Sequence, residues 1–244
     1  MSAVPATAMV LSAGLGRRLR PITETLPKPL VKIGGKAMLD RALDALAEAG
    51  TATAVVNVHH LGARIIDHVA ARRRPKTLIS DERSMLLDSA GGIVKALPLL
   101  GARPFFVLNS DTFWIDQDQS NLVRLAAAWD DDRMDILLML ADPALAIGHS
   151  GGADFSVDAA GRLQRARGAP DGAIYAGAAI LHPRIFAGAP VEPHSLNRYF
   201  DQAIASGRLY GQHLAGRWFT VGTPDAIPLA EAALDAAMAE AEAR

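Results

Sequence analysis

The chain is 244 residues long, half of them apolar, with no cysteine and a formal net charge of -1. Such a length holds one doubly wound α/β domain around one sizeable core. Near-neutral charge excludes the broad basic field of a nucleic-acid binder, no apolar run approaches the ~20 residues of a membrane span, and the lack of thiols excludes disulfides and thiolate metal sites.

The opening MSAVPATAMVLSAG has no basic n-region and its apolar residues read as a strand, so no signal peptide is expected and the cytoplasm is the expected compartment. Short apolar runs then alternate with amphipathic segments: a strand over Thr7–Leu11, a helix over Met38–Ala49, a strand over Thr53–Val58 and a helix over Leu61–Ala71. A strand over Thr77–Ile79, a helix over Gly92–Leu100 and a strand over Phe105–Leu108 follow. Runs rich in Val, Ile and Leu suit strands covered on both faces, each joined to a parallel neighbour by a helix. Beyond them the pattern gives a helix over Asn121–Trp129, a strand over Asp135–Leu140, and an irregular Gly- and Ala-rich stretch from Pro143 to Pro170. It closes with a strand over Ile174–Leu181, a helix over Leu196–Ala205, a strand over Arg217–Val221, and a helix over 224–241 packed by Leu229, Ala233 and Leu234. The expected fold is a three-layer α/β/α sandwich on a Rossmann-like, mostly parallel mixed sheet. It forms one domain, with a nucleotide-binding half over 1–115 and a sugar-binding half over 116–225.

The richest motif is MVLSAGLGRRLRPITETLPKP, Met9 to Pro29, where an apolar strand runs into a glycine turn and then cations. Glycine lets backbone N–H groups approach phosphate oxygens, and Arg18 and Lys28 would offset anionic charge. The frame is not a P-loop, and Leu19 stands where a dinucleotide fingerprint needs its third glycine. Both this loop and Asp111 follow predicted strands, so both should lie at one rim beyond the strands' carboxyl ends. Elsewhere, the adjacent His59 and His60 cannot chelate together, and the histidines are read as structural. Asp116 and Asp118 read as an exposed turn or helix start, and Arg72-Arg73-Arg74 as a solvated helix end near the negative dipole.

These residues, Leu11 to Pro21 with Pro27-Lys28-Pro29-Leu30-Val31, resemble the signature of sugar-1-phosphate nucleotidyltransferases. The resemblance continues through Gly35-Lys36-Ala37-Met38-Leu39, Asp88-Ser89-Ala90-Gly91-Gly92-Ile93, Asn109-Ser110-Asp111 and Trp218-Phe219-Thr220-Val221-Gly222-Thr223, five blocks in order over nearly the whole chain. Length and local segments point within the family to the compact branch that transfers uridylyl to N-acetylmuramate 1-phosphate in cell-wall sugar recycling. Transfer of guanylyl to mannose 1-phosphate is the alternative, and a silent sugar-nucleotide-binding protein is a third reading.

The resemblance implies roles. Arg18 would grip the β- and γ-phosphates of the triphosphate, Lys28 would sit by the α-phosphate, and Arg17 would share that work or face solvent. Leu11, Ala13, Gly14, Leu15 and Gly16 would form the nucleotide loop, with a Ser89-to-Gly92 loop, including Gly91 and Gly92, on the other side of the base. Asn109, Asp154, Gly177 and Asn197 are candidates for the sugar. Asp111 would hold Mg²⁺. Thr220 stands where relatives usually carry a second metal-binding Asp, and a neutral hydroxyl is a weaker ligand. Thr220 could still coordinate, Asp111 and the phosphates could suffice, or activity could be slow or lost. The expected partners are UTP or another nucleoside triphosphate and a sugar 1-phosphate, with no nucleic acid or membrane, on a monomer or small homo-oligomer.

Overall fold

A computed structural model describes residues 3–168 and 172–242. Strand β1 (Thr7–Leu11) leads through three short 3₁₀ turns to a hairpin of β2 (Lys32–Ile33) and β3 (Lys36–Ala37). Then come α1 (Met38–Ala49), β4 (Thr53–Val58), α2 (Gly62–Val69), β5 (Lys76–Asp81), α3 (Asp88–Leu100), β6 (Phe105–Asn109), β7 (Thr112–Asp116) and α4 (Asn121–Ala128). The second half holds β8 (Ile136–Ala141), β9 (Ala146–Ile147), β10 (Phe155–Val157), β11 (Leu163–Arg165), β12 (Ile174–Leu181), α5 (Asn197–Ala205), β13 (Leu209–His213), β14 (Gly216–Thr220) and α6 (Ala226–Glu242).

Seven strands form the central sheet in the order β13-β8-β12-β6-β1-β4-β5. β12 runs antiparallel to both neighbours and the other pairings are parallel, so the sheet is the mixed, mostly parallel one expected. Period-2 alternation divides its side chains between two cores. Ala8 and Val10 face the layer containing Leu39, Leu43, Ile65 and Leu125 of α1, α2 and α4, whereas Met9 faces Ile93 of α3 and Phe200 of α5. α1 shows why these elements form. Its buried stripe, Met38, Leu39, Ala42, Leu43, Leu46 and Ala49, keeps helical spacing, and Gly50 closes it at φ 94° while its N–H bonds the Ala47 carbonyl.

Several expectations are corrected. α3 starts at Asp88, a turn before Gly92, because the His194 carbonyl takes the Ala90 and Gly91 N–H groups at 3.0 and 3.3 Å. Ser89 to Gly92 is therefore helix, not loop. β7 pairs with β14 in a small separate sheet with β9, and β13 adds an edge beside β8; their mixed polar and apolar residues give no strong strand period. The stretch expected to be irregular carries β9, β10 and β11, and its Pro170 end lies outside the described residues. Asp116 ends β7 and accepts from the Asn121 backbone N–H at 2.8 Å, so it does mark a helix start. α2 ends at Val69, before the three arginines, and Arg72 is not a solvated helix end: it is half-buried and pairs with Asp40 and Asp44, tying the turn after α2 to α1. α6 packs through Ala226, Ala230 and Leu234, whereas Leu229 is exposed.

Candidate active site

Leu11, the last residue of β1, lies in register with Asn109, the last of β6, so the two following loops leave the sheet side by side. Ser110 fastens them, its N–H and hydroxyl both donating to the Leu11 carbonyl at 3.3 and 2.7 Å. Between the loops opens a cleft of 510 Å³, a size suited to a small-molecule ligand. It is lined by Leu11, Ala13, Gly14, Lys28, Ser89, Asn109 and Asp111 among the candidates from sequence.

The glycine loop is shaped from behind. Gly16 adopts φ 61°, and the Thr23 methyl packs so close that a Cβ at Gly16 would lie 2.8 Å away, so glycine is required. The Thr23 hydroxyl donates to the Gly16 carbonyl at 2.8 Å, and His60 Nε2 donates to the Thr23 carbonyl at 2.8 Å. His59 Nδ1 donates to the Glu82 carbonyl at 2.7 Å, so both adjacent histidines serve structure, in different directions. Leu15, Gly16 and Arg17 lie outside the cleft lining. Arg18 is exposed and stands against Gly222, where a Cβ would be 3.4 Å from Nη1.

The cleft floor rests on a buried polar chain absent from the candidates. Asn57 Oδ1 accepts the Ser12 N–H at 2.6 Å, Asn57 Nδ2 donates to Glu82 Oε1 at 2.7 Å, and Glu82 Oε2 accepts the Leu87 N–H at 3.1 Å. Burial pushes the fully buried Glu82 carboxyl above its ordinary range, while the two donors pull it partly back. Gly92 packs on this chain, and a Cβ there would meet Glu82 Oε1 at 2.6 Å. Gly91 likewise abuts the Glu192 carbonyl, so both glycines permit close packing behind the cleft instead of lining it. A lone polar residue at the carboxyl end of the apolar run Thr53–Val58 was the available signal for Asn57. Pro193, also at the cleft, had none.

Lys28 Nζ donates to Asp111 Oδ2 at 2.6 Å, across 83 residues of sequence. β14 delivers the Trp218-to-Thr223 block beside it: Thr220 is in register with Thr112, and the Val221 N–H bonds the Asp111 carbonyl at 3.0 Å. Gly177, in the bulge of β12 at φ 80°, lies against Thr112 and Asn109, where a Cβ would sit 3.2 Å from Asn109 Nδ2. Asp154 Oδ2 accepts the Tyr175 N–H at 2.9 Å, next to that bulge. The Tyr175 hydroxyl is buried with no partner among the described residues, and burial and the Asp111 charge raise its pKa. Asn197 is turned elsewhere, its Oδ1 accepting from Arg165 at 3.0 Å.

A family model described as nucleotidyl transferase matches residues 7–146. The chain belongs to this family. It is 43% identical over 240 residues, 96% of this chain and 99% of the relative, to the N-acetylmuramate alpha-1-phosphate uridylyltransferase of Caulobacter vibrioides. With the mannose-1-phosphate guanyltransferase of Hypocrea jecorina it shares 30% identity over 88% of its own length and 60% of the other's. The inositol-1-phosphate CTP transferase from T. maritima superposes with a TM-score of 0.73 at 17% identity over 93% of each chain, a likeness of fold. The glycine loop and the Asn109–Asp111 segment both fall inside the span that the family model matches. No described helix is long and apolar enough to cross a membrane.

Proposed function

We propose that this nucleotidyl transferase moves uridylyl from UTP to N-acetylmuramate 1-phosphate, releasing pyrophosphate, and that it does so in the cytoplasm during cell-wall sugar recycling, as a monomer or small homo-oligomer. The observation that carries the reading is the junction of Lys28 with Asp111 at the rim where the glycine loop leaves the sheet. Identity to the Caulobacter enzyme supports the choice of base and sugar.

One phosphate oxygen of the sugar 1-phosphate attacks the α-phosphorus, and the bond to the leaving pyrophosphate breaks. The nucleophile is already anionic, so the protein's work is to align two anions and stabilise charge on the leaving group. Lys28 lowers repulsion between nucleophile and α-phosphate, and Arg18, with Arg17 beside it, takes the leaving phosphates. The loop from Leu11 to Gly16 and Ser89 hold the nucleoside over the Asn57 floor. Asn109, Asp154 and Gly177 bound the sugar, in the half over 116–225 that completes the single domain.

The residues present fit Mg²⁺. The Asp111 carboxylate is a hard oxygen ligand already carrying a cation, the Lys28 ammonium, and Thr220 adds a neutral oxygen on the adjoining strand. No cluster of three metal-ligating side chains occurs among the described residues, so phosphate oxygens and water would fill the shell, as Mg²⁺ accepts. Bound there, Mg²⁺ would neutralise phosphate charge.

Pyrophosphate release across UTP, GTP, CTP and dTTP, each with N-acetylmuramate 1-phosphate, mannose 1-phosphate or glucose 1-phosphate, tests the reading. Turnover should be highest for the first member of each set. Preference for GTP with mannose 1-phosphate would support the guanylyl alternative, and tight nucleotide binding without turnover would support the silent one.

A further inference from the structure

We propose that Lys28 is the resident counter-cation of Asp111, and that their ion pair withholds the carboxylate from divalent metal until a nucleotide draws the ammonium away. The inference rests on the reading of Asp111 as the metal ligand.

Three observations converge. Lys28 Nζ sits 2.6 Å from Asp111 Oδ2, with the lysine side chain only 12% and the aspartate 34% exposed, so the contact is sheltered from solvent screening. Among the described residues, no group of three metal-ligating side chains forms around this carboxylate. Thr220, on the strand beside it, contributes no charge, so the pair is neutral and offers an incoming dication no net negative field. A site with two carboxylates would keep one negative charge after such pairing, and this one keeps none. Finally, the Lys28 backbone is fixed between Pro27 and Pro29, where the Leu30 N–H bonds the Pro27 carbonyl at 2.8 Å and a Cβ at Gly16 would touch Lys28 Cβ at 3.2 Å. Movement of the ammonium is then confined to side-chain torsions, between Asp111 and the cleft that both residues line.

A triphosphate carries several negative charges against the single one on Asp111, so its arrival shifts Lys28 from carboxylate to phosphate. Asp111 is released as the phosphates bring their own oxygens to a metal ion. Metal and nucleotide therefore bind with positive coupling, each strengthening the other by the same factor.

Mn²⁺ binding to the full chain, read from the electron paramagnetic resonance signal of free Mn²⁺, tests this with and without a non-hydrolysable UTP analogue. Wild type should bind Mn²⁺ weakly alone and more tightly with the analogue. Lys28→Gln should bind Mn²⁺ alone about tenfold more tightly than wild type, within the usual range of site-to-site coupling. Lys28→Arg should stay weak, and Lys28→Gln combined with Asp111→Asn should lose the gain. Circular dichroism melts confirm that each variant is folded. Equal metal affinity of folded wild type and Lys28→Gln without nucleotide would overturn the gate while leaving Asp111 as ligand, provided Asp111→Asn still weakens Mn²⁺ binding with the analogue. Should Asp111→Asn have no effect in either state, the metal reading falls and the gate with it.

Discussion

Asn57→Leu removes the link that joins the glycine loop to the start of α3 while nearly conserving volume. The Ser12 N–H and Glu82 Oε1 each lose their partner, at positions 2% and 0% exposed. An unpaired buried N–H costs about 1–3 kcal/mol and a lost bond to a charged group about 1.5–3, so the variant should be less stable by about 2.5–6 kcal/mol. The loss should also depend on pH. Glu82 titrates above its ordinary value of 4.5 in the folded chain, so between the two values the folded state binds the extra proton. Stability contributed by this group therefore falls as pH rises from near 4.5 to the raised folded value, and is flat beyond it. Removing the Asn57 donor raises the folded value further and widens that window. Urea unfolding followed by circular dichroism should thus give a larger deficit at pH 8 than at pH 5. A deficit under about 1 kcal/mol, equal at both pH values, would refute the network's role.

Lys28→Ala and Asp111→Asn should each lower turnover about 10²-fold or more in a pyrophosphate-release assay, since both groups act on developing charge. Gly177→Ala forces a side chain into φ 80° against Thr112 and Asn109, and should cost about 2 kcal/mol or more in thermal unfolding while lowering turnover. Thr220→Asp should tighten Mg²⁺ binding in the presence of nucleotide, measured by titration calorimetry, because it adds a carboxylate one strand from Asp111. Unchanged affinity would place that side chain away from the ion.

Legibility followed the strength of local signals. The buried parallel strands β1 and β4 and the helix α1 were readable to the residue, because dense Val, Ile and Leu runs and an i, i+4 stripe leave little choice of period. The rim shared by Gly14 and Asp111 followed from topology alone, since both loops leave carboxyl ends of neighbouring strands. β13 and β7 were hidden because Tyr210-Gly211-Gln212 and Trp114-Ile115-Asp116 mix polar and apolar residues, and only long-range pairing with β8 and β14 makes them strands. The start of α3 was hidden for a related reason: its first amides are held by His194, more than a hundred residues away in sequence. Asn57 was not among the candidates: a polar residue next to last in β4 is a weak signal, and its partners Ser12 and Glu82 are joined to it only by the fold. Arg18 stands against Gly222, more than two hundred residues away in sequence, a closeness no local pattern encodes.

A crystal structure with Mg²⁺ and a non-hydrolysable UTP analogue bears most directly on the whole account. Its phosphates should lie between the Gly14 loop and Lys28, its base over Asn57, and the metal should touch Asp111, with Lys28 Nζ moved off the carboxylate. An analogue bound outside this cleft, or a metal held without Asp111, would contradict it.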